Sequence, residues 1–426
     1  MSSYGLQTSL SRQQIICGID VGNSSIKTII AEIDRQSLLP RILAMGSVES
    51  RGLRKGMVVD MAETIANIGE SLRQAESRAG VKVQRAFASL SGPHIRTQIS
   101  KGVIAVSRAD NQISQNDITR VIDAASVISL PANREIIHVL PRNFIIDGQE
   151  QVKSPIGMRG VRLEAEVYII DGLSTHIHNI ARCINANNVE VVEFIYSPMA
   201  VALAALDRQQ KEYGVLNLDF GGGTSTFAMF NEGDLVHTGV LPIGSRHITN
   251  DLAVALRTSM DVAEQVKKEH GTLDQGSGSK KDIIDLSEFI GGDASTFSRK
   301  EVVKIIEARV SEMFDMLSVE LKRVPKHHLP GGLVLIGGGA NLAGITSFAK
   351  DKLRLPVRIA NSYYIGNNIN EIINDSSFAV AAGLIAWGVD KEFTGPNSRV
   401  RKSLKNDITS SNIFKKVTSW LKNFLP

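Results

Sequence analysis

Two segments about 200 residues apart share one pattern, and that repetition constrains the fold more than any other feature of the chain. Ile16-Cys17-Gly18-Ile19-Asp20-Val21-Gly22-Asn23-Ser24-Ser25 is matched by Leu216-Asn217-Leu218-Asp219-Phe220-Gly221-Gly222-Gly223-Thr224-Ser225. Each is an apolar run, then Asp-x-Gly, then a small polar cluster, then a second apolar run (Ile26 to Ile33; Phe227 to Phe230). This is the signature of a β-hairpin with a glycine-rich turn, where glycine permits positive φ and close backbone approach. Finding it near the start of each half predicts an internally duplicated α/β protein with a cleft between the halves. The composition agrees: 36 glycines in 426 residues with only 5% aromatics suits an α/β chain with many tight turns.

The remaining pattern divides the chain. Residues 1–84 and 173–214 read as the first half, and 85–172 as an inserted α+β module of several strands and one helix. That helix covers 116–129 and is opened by Ser114 with Asp117 three positions on. Strands are expected at Ile136 to Leu140 and Asn143 to Ile146, and an Ala-rich helix from Pro198 to Lys211. Residues 215–244 and 332–390 form the second half. Residues 245–331 form a small helical subdomain with helices at 246–257, 260–270 and 299–323, and Gly271 to Ser279 a surface loop. Residues 391–410 are polar and basic, without hydrophobic period, and read as a flexible linker.

Asp20 and Asp219 each end an apolar strand, where a carboxylate can hold the waters of a hard divalent cation such as Mg²⁺. The turns Gly22-Asn23-Ser24-Ser25 and Gly221-Gly222-Gly223-Thr224-Ser225 offer backbone N–H groups and hydroxyls to a phosphate chain, and Lys27 can neutralise its charge. A third glycine turn, Gly337-Gly338-Gly339-Ala340-Asn341, follows a predicted buried strand. No Gly-Lys-Ser/Thr loop of the Walker type is present, which excludes a P-loop protein. The paired histidines His176/His178 and His327/His328 lack further ligands at metal-site spacing.

This three-part constellation resembles the actin, 70-kDa heat-shock and sugar-kinase superfamily of ATP-binding proteins. The resemblance implies an actin-like fold with ribonuclease H-like duplicated halves, with ATP and Mg as cofactors. Asp20, Gly22, Asn23 and Lys27 match the first phosphate motif, Asp219 to Thr224 the second, and Gly337 to Asn341 the adenosine motif. Glu264 and Lys267, three apart on one helix face, match the pair that edges the adenosine in the heat-shock relatives. Over nearly the whole chain the sequence is similar to the FtsA family of bacterial cell-division proteins. The strings Ser50-Arg51-Gly52-Leu53-Arg54-Lys55-Gly56-Met57-Val58-Val59-Asp60, Leu140-Pro141 through Gln149, Pro155 through Glu164 and His237-Thr238 through Gly244 carry that similarity. It implies self-assembly, docking of the tubulin-like FtsZ on about 245–330, and contacts with other division proteins through the inserted module. One departure matters: relatives commonly place an acid two positions beyond the threonine of the second motif, and here Thr226 stands there. Phosphate binding is expected to survive this change and hydrolysis to be slow, so no catalytic residue is assigned.

From Ile413 the apolar residues Ile413, Phe414, Val417, Trp420, Leu421, Phe424 and Leu425 follow the helical period. Lys415, Lys416 and Lys422, with Ser, Thr and Asn, fill the other face. About 13 residues make roughly 20 Å of helix, too short to span a bilayer. Residues 395–426 hold seven basic residues against the single Asp407, a surplus of six in a chain of net charge +4, which leaves the remainder at −2. A near-neutral body does not suit a broad nucleic-acid face, whereas a basic amphipathic C-terminal helix (411–426) suits an anionic membrane surface. The N-terminus lacks a secretory signal and the two cysteines stand apart, as expected for a cytoplasmic protein. The FtsA resemblance likewise implies a peripheral protein on the cytoplasmic face of the inner membrane at the division site. An actin-fold small-molecule phosphotransferase and a pilus-assembly homologue are the competing readings.

Overall fold

The computed structural model describes residues 14–33, 39–274, 283–286, 296–324, 328–360, 363–365, 368–370 and 375–391. Residues 411–426, where the amphipathic helix is predicted, and nearly all of 391–410 lie outside them.

The first repeat is the hairpin Gln14–Val21 (β1) and Ser25–Ile33 (β2), with Pro40–Glu49 (β3) added along β2. Residues Ile26 to Ile33 of β2 are buried without a break, which is why they read as a continuous apolar run and not as an alternating strand. Arg85–Leu90 (β4) and Glu190–Tyr196 (β5) extend the sheet in parallel on the other side of β1, giving the order β5-β4-β1-β2-β3. The second repeat builds the same sheet again. Val215–Phe220 (β6), Ser225–Asn231 (β7) and Asp234–Leu241 (β8) form the antiparallel part, and Leu333–Ile336 (β9) and Val357–Ile359 (β10) the parallel part. The duplication predicted from two hairpins therefore extends through five strands of each half.

Helices cover the sheets. Met61–Ala79 is started by Asp60, whose carboxylate accepts from Glu63 N at 2.9 Å, and is stopped by Gly80 in the left-handed region. Beside the second sheet pack Ser245–Leu256 (α2), Met260–His270 (α3) and Arg299–Leu321, with a short hairpin of Ile283–Asp285 and Thr296–Ser298. The inserted module has its own core beneath a sheet ordered Arg96–Ala105, Arg162–Leu173, Arg134–Ile146, Gln149–Val152. Its helix Gln115–Ser126 carries the predicted Ser114/Asp117 capping box.

Four expectations change. The sequence pattern starts the module at residue 85, but β4 belongs to the first-half sheet, and the module's own sheet begins at Arg96. The two strands expected around Pro141 are one, Arg134–Ile146, because Pro141 sits at a register shift that needs no amide donor. The long Ala-rich helix breaks into Ser197–Ala205 (α1) and Arg208–Tyr213. Asp207 caps the second piece, accepting from Gln210 N at 2.7 Å. Finally, Ala379–Val389 (α4), assigned by sequence to the second half, lies in the core of the first. It packs on β1 and β2 and along α1. Glycines make this possible: a Cβ on Gly18 would clash with Leu384, and one on Gly383 would overlap the Ala200 carbonyl. The C-terminal end of α4 is pinned by Glu193, which accepts from Trp387 Nε1 at 3.3 Å and pairs with Lys391.

The α1–α4 contact is tight enough to test. Gly383→Ala should lower the unfolding free energy by about 1–3 kcal/mol through overpacking, even though alanine is the better helix former. Chemical denaturation of the two proteins decides; equal or greater stability in the variant would show that the helices are not in this contact.

Candidate functional site

The two Asp-x-Gly hairpins meet across a cleft of about 630 Å³ between the halves. Ser24 occupies the space that a Cβ on Gly222 would fill, and the Asn23 amide lies against Gly223, so the turns interlock only because the second is glycine. The backbone of that second turn is fixed by the start of α2: Ser245 N donates to Gly221 O and Arg246 N to Gly222 O, each at 2.8 Å. Asn23 Oδ1 accepts from Gly56 N at 2.8 Å, so part of its bonding capacity is committed to structure. Above Asp219 sits the third turn. Gly337 has φ +86°, and a Cβ there would collide with the Asp219 carboxylate and the Phe220 carbonyl.

Charge in the cleft is arranged asymmetrically on a symmetric scaffold. In the β1–β2 ladder Asp20 is the partner of Lys27; in the β6–β7 ladder Asp219 is the partner of Thr226. Lys27 Nζ donates to Ser25 Oγ at 2.6 Å and lies 5.6 Å from the centre of the Phe378 ring. Burial pushes the Asp20 carboxyl above its usual range, opposed by Lys27 and by Ser89 Oγ, which donates to it at 2.8 Å. Among the described residues Asp219 has no such donor. Burial and then the neighbouring Asp20 charge raise it to about 7, against the pull of Lys27. Two raised carboxyls facing one space are what a bound cation would relieve. Among the described residues no group of three or more His, Cys, Asp and Glu could hold a metal directly. The residues fit a hydrated Mg²⁺ held through water by Asp20 and Asp219, with phosphate oxygens completing its shell.

The helix pair Glu264 and Lys267 is built into the opposite wall. Lys267 is 12% exposed at its side chain and donates to Glu264 Oε2 at 2.6 Å and Thr249 Oγ1 at 2.9 Å; Thr249 in turn donates to Glu264 at 2.5 Å. Burial lowers the Lys267 pKa, with Glu264 opposing. Of Gly271 to Ser279, expected as a surface loop, residues 271–274 are described, and there Thr272 and Leu273 are buried and Leu273 N donates to Ala343 O at 2.8 Å. That bond ties the helix bearing Glu264 and Lys267 to the third glycine turn. Asn341 Oδ1 lies 3.1 Å from Ser376 Oγ.

Asp20, Gly22, Ser24, Ser25, Lys27, Asp219, Gly221, Gly222, Thr224, Glu264, Lys267, Gly337, Gly338, Gly339 and Asn341 all line the cleft, as does Asn23; Gly223 lies just behind it. Sequence reasoning missed Ser89 and Thr249, which reach the site from distant elements and carry no local signal. Thr226, which the sequence marks only as a departure, lines the cleft at 3% exposure with a hydroxyl that has no hydrogen-bond partner among the described residues.

With this geometry in place, comparison with known proteins is decisive. A sequence model described as "Cell division protein FtsA" matches residues 216–383, and one for the "SHS2 domain inserted in FTSA" matches 92–171. The FtsA protein of Bacillus subtilis is 36% identical over 92% of this chain and 86% of its own length. The chain belongs to the FtsA family. The Pseudomonas aeruginosa relative is 31% identical over 97% of this chain and 99% of its own. Among solved structures, the PilM–PilN type IV pilus biogenesis complex aligns with a TM-score of 0.62 at 18% identity, covering 88% of this chain and 98% of that one. MreB5 of Spiroplasma citri bound to ADP aligns at 0.51 and 16%, covering 87% and 94%. These likenesses show the fold, which is actin-like with the inserted module.

The raised Asp219 pKa has a measurable sign. A carboxyl whose folded pKa exceeds its unfolded value contributes stability below pH 4, and that contribution is lost as pH rises toward 7. Asp219→Asn should therefore stabilise the ligand-free protein by up to ~4 kcal/mol at pH 8 and by almost nothing at pH 4. Melting curves at the two pH values test this, and an equal gain at both would refute the buried, unpaired carboxylate.

Proposed function

We propose that this FtsA-family protein binds Mg·ATP in the cleft, self-assembles, and tethers FtsZ to the cytoplasmic face of the inner membrane at the division site. The observation that carries the reading is the convergence of two carboxylates, Lys27 and three glycine turns from both halves on one cleft. Backbone amides of the turns and Lys27 would hold the phosphates, Asp20 and Asp219 the waters of Mg²⁺, and Glu264 and Lys267 would edge the adenosine. A ligand gripped from both halves favours their closed arrangement, and closure would select the state competent to polymerise. Hydrolysis would be slow, since Thr226 offers a hydroxyl where a carboxylate would order or activate water.

No helix among the described residues is long and apolar enough to cross a membrane. Attachment would come from the amphipathic segment 411–426, with Trp420, Phe414 and Phe424 in the acyl boundary and Lys415, Lys416 and Lys422 at anionic headgroups. One such helix binds reversibly, and assembly into a polymer would make attachment stable through avidity. FtsZ would dock on the subdomain at 245–330, and other division proteins on the inserted module. Family membership favours this reading over a small-molecule phosphotransferase or a pilus-assembly role.

Co-sedimentation with anionic liposomes in ATP tests the tether. The full chain should pellet and carry FtsZ down; Trp420→Glu and a 1–410 truncation should leave both in solution with an unchanged melting temperature. Separately, Lys27→Ala should weaken ATP binding at least tenfold by calorimetry. A full chain that stays soluble with vesicles, or Lys27→Ala with normal ATP affinity, would each overturn the corresponding half of the proposal.

A further inference from the structure

The string Ser50 to Asp60 has no part in the cleft chemistry, yet the structure builds it with care. Val59 N and Asp60 N both donate to Gly52 O, at 2.9 and 3.1 Å, closing a hairpin of Leu53–Arg54 and Met57–Val58. Gly56, at φ +76°, is held by Asn23 and packs against the Ser91 carbonyl. At the tip, Lys55 adopts φ +51°, a left-handed conformation unfavourable for a lysine.

This tip faces the second half across a cavity of about 380 Å³, separate from the cleft and directly behind the interlocked turns, with Asn23 and Gly223 in its wall. Arg54 and Lys55 line it from the first half, and Arg246, His247 and Asn250 from the start of α2; Leu53 and Met260 supply apolar surface. No Asp or Glu among the described residues lines it. Among the described residues, Arg54, Lys55 and Arg246 take part in no ion pair. The His247 ring is held at this wall through Nδ1, which lies 3.1 Å from Gly244 N and 3.2 Å from Gly244 O. Three solvent-exposed cations from two bodies thus border one open space, and their mutual repulsion, screened by water at this separation, grows as the halves close.

We propose that this cavity is a second anion site, distinct from the nucleotide cleft, that takes inorganic phosphate and bridges the two halves. A tetrahedral dianion suits two guanidinium forks and an ammonium group, and the space accommodates it with part of its hydration shell. The bound ion converts repulsion between the first-half tip and α2 into attraction, so it favours the closed arrangement from the side opposite the nucleotide.

The test is a calorimetric titration of inorganic phosphate into the full chain saturated with Mg·AMPPNP, so that the terminal-phosphate position is already filled, with chloride holding ionic strength constant. One saturable site is expected. Arg54→Gln and Arg246→Gln should each weaken it at least tenfold, and Lys55→Asn, whose side chain suits the left-handed backbone, should weaken it while leaving the melting temperature unchanged. Arg51→Gln removes the same charge from the same string, outside the cavity, and should have no effect. Absence of saturable binding, or equal loss in Arg51→Gln, overturns the site. If AMPPNP itself does not bind, the nucleotide reading fails on its own, and the same titration on the free chain still decides: loss through Arg54→Gln supports the site, and loss through Lys27→Ala instead places the ion in the cleft and overturns it.

Discussion

Two desolvated carboxyls in the cleft share one buried lysine, and the arrangement of the whole molecule follows from keeping them there. Asp20 and Asp219 come from different halves, yet the Asp20 charge helps to raise Asp219, and Lys27 is the cation that offsets both. Like charges brought together out of water repel strongly unless protonated or neutralised. The halves can approach only because Gly222 and Gly223 let the hairpins interlock and Gly337 lets the third turn settle onto Asp219. Close approach and electrostatic tension are therefore two sides of one design. The two raised carboxyls leave a charge balance in the cleft that a cation and its anionic partner would complete.

Symmetry supplies the frame and asymmetry supplies the chemistry. The same five-strand order recurs in both halves, and Lys27 and Thr226 occupy equivalent ladder positions opposite the two aspartates. A lysine in one and a threonine in the other means that charge is neutralised from one side only. The module is inserted into the first half yet touches the second, where Lys153 pairs with Asp234; separately, Thr238 Oγ1 of the second half donates at 3.2 Å to the phenolic oxygen of Tyr196 in the first-half sheet. Burial raises Asp234 to about 6, with Lys153 pulling the other way. The module is thus in mechanical contact with both bodies that define the cleft.

What could be read from sequence was whatever has local period or local chemistry. The Asp-x-Gly repeat announced both hairpins, Ser114 and Asp117 announced a helix start, and Glu264 with Lys267 stood out by spacing. The rest depends on which distant side chains meet. Ser89 reaches Asp20 from a strand 69 residues away, and Thr249 turns an i, i+3 pair into a buried network. The misplacement of α4 has the same origin. Its small residues declare close packing but not against what, and chain order suggested the nearer half. Pro141 and Asp207 misled in opposite directions: a bulge absorbed the proline within one strand, while a cap divided an apparently continuous helix.

The position of α4 fixes which body carries the C-terminal tail. This helix lies in the first-half core, and the Lys391–Glu193 pair just beyond it holds the last described residue to the first half. A tail held at a membrane would then make the first half the stator. Opening or closing the cleft would swing the second half, with whatever docks on it, relative to the lipid surface, while the anchored body stayed still.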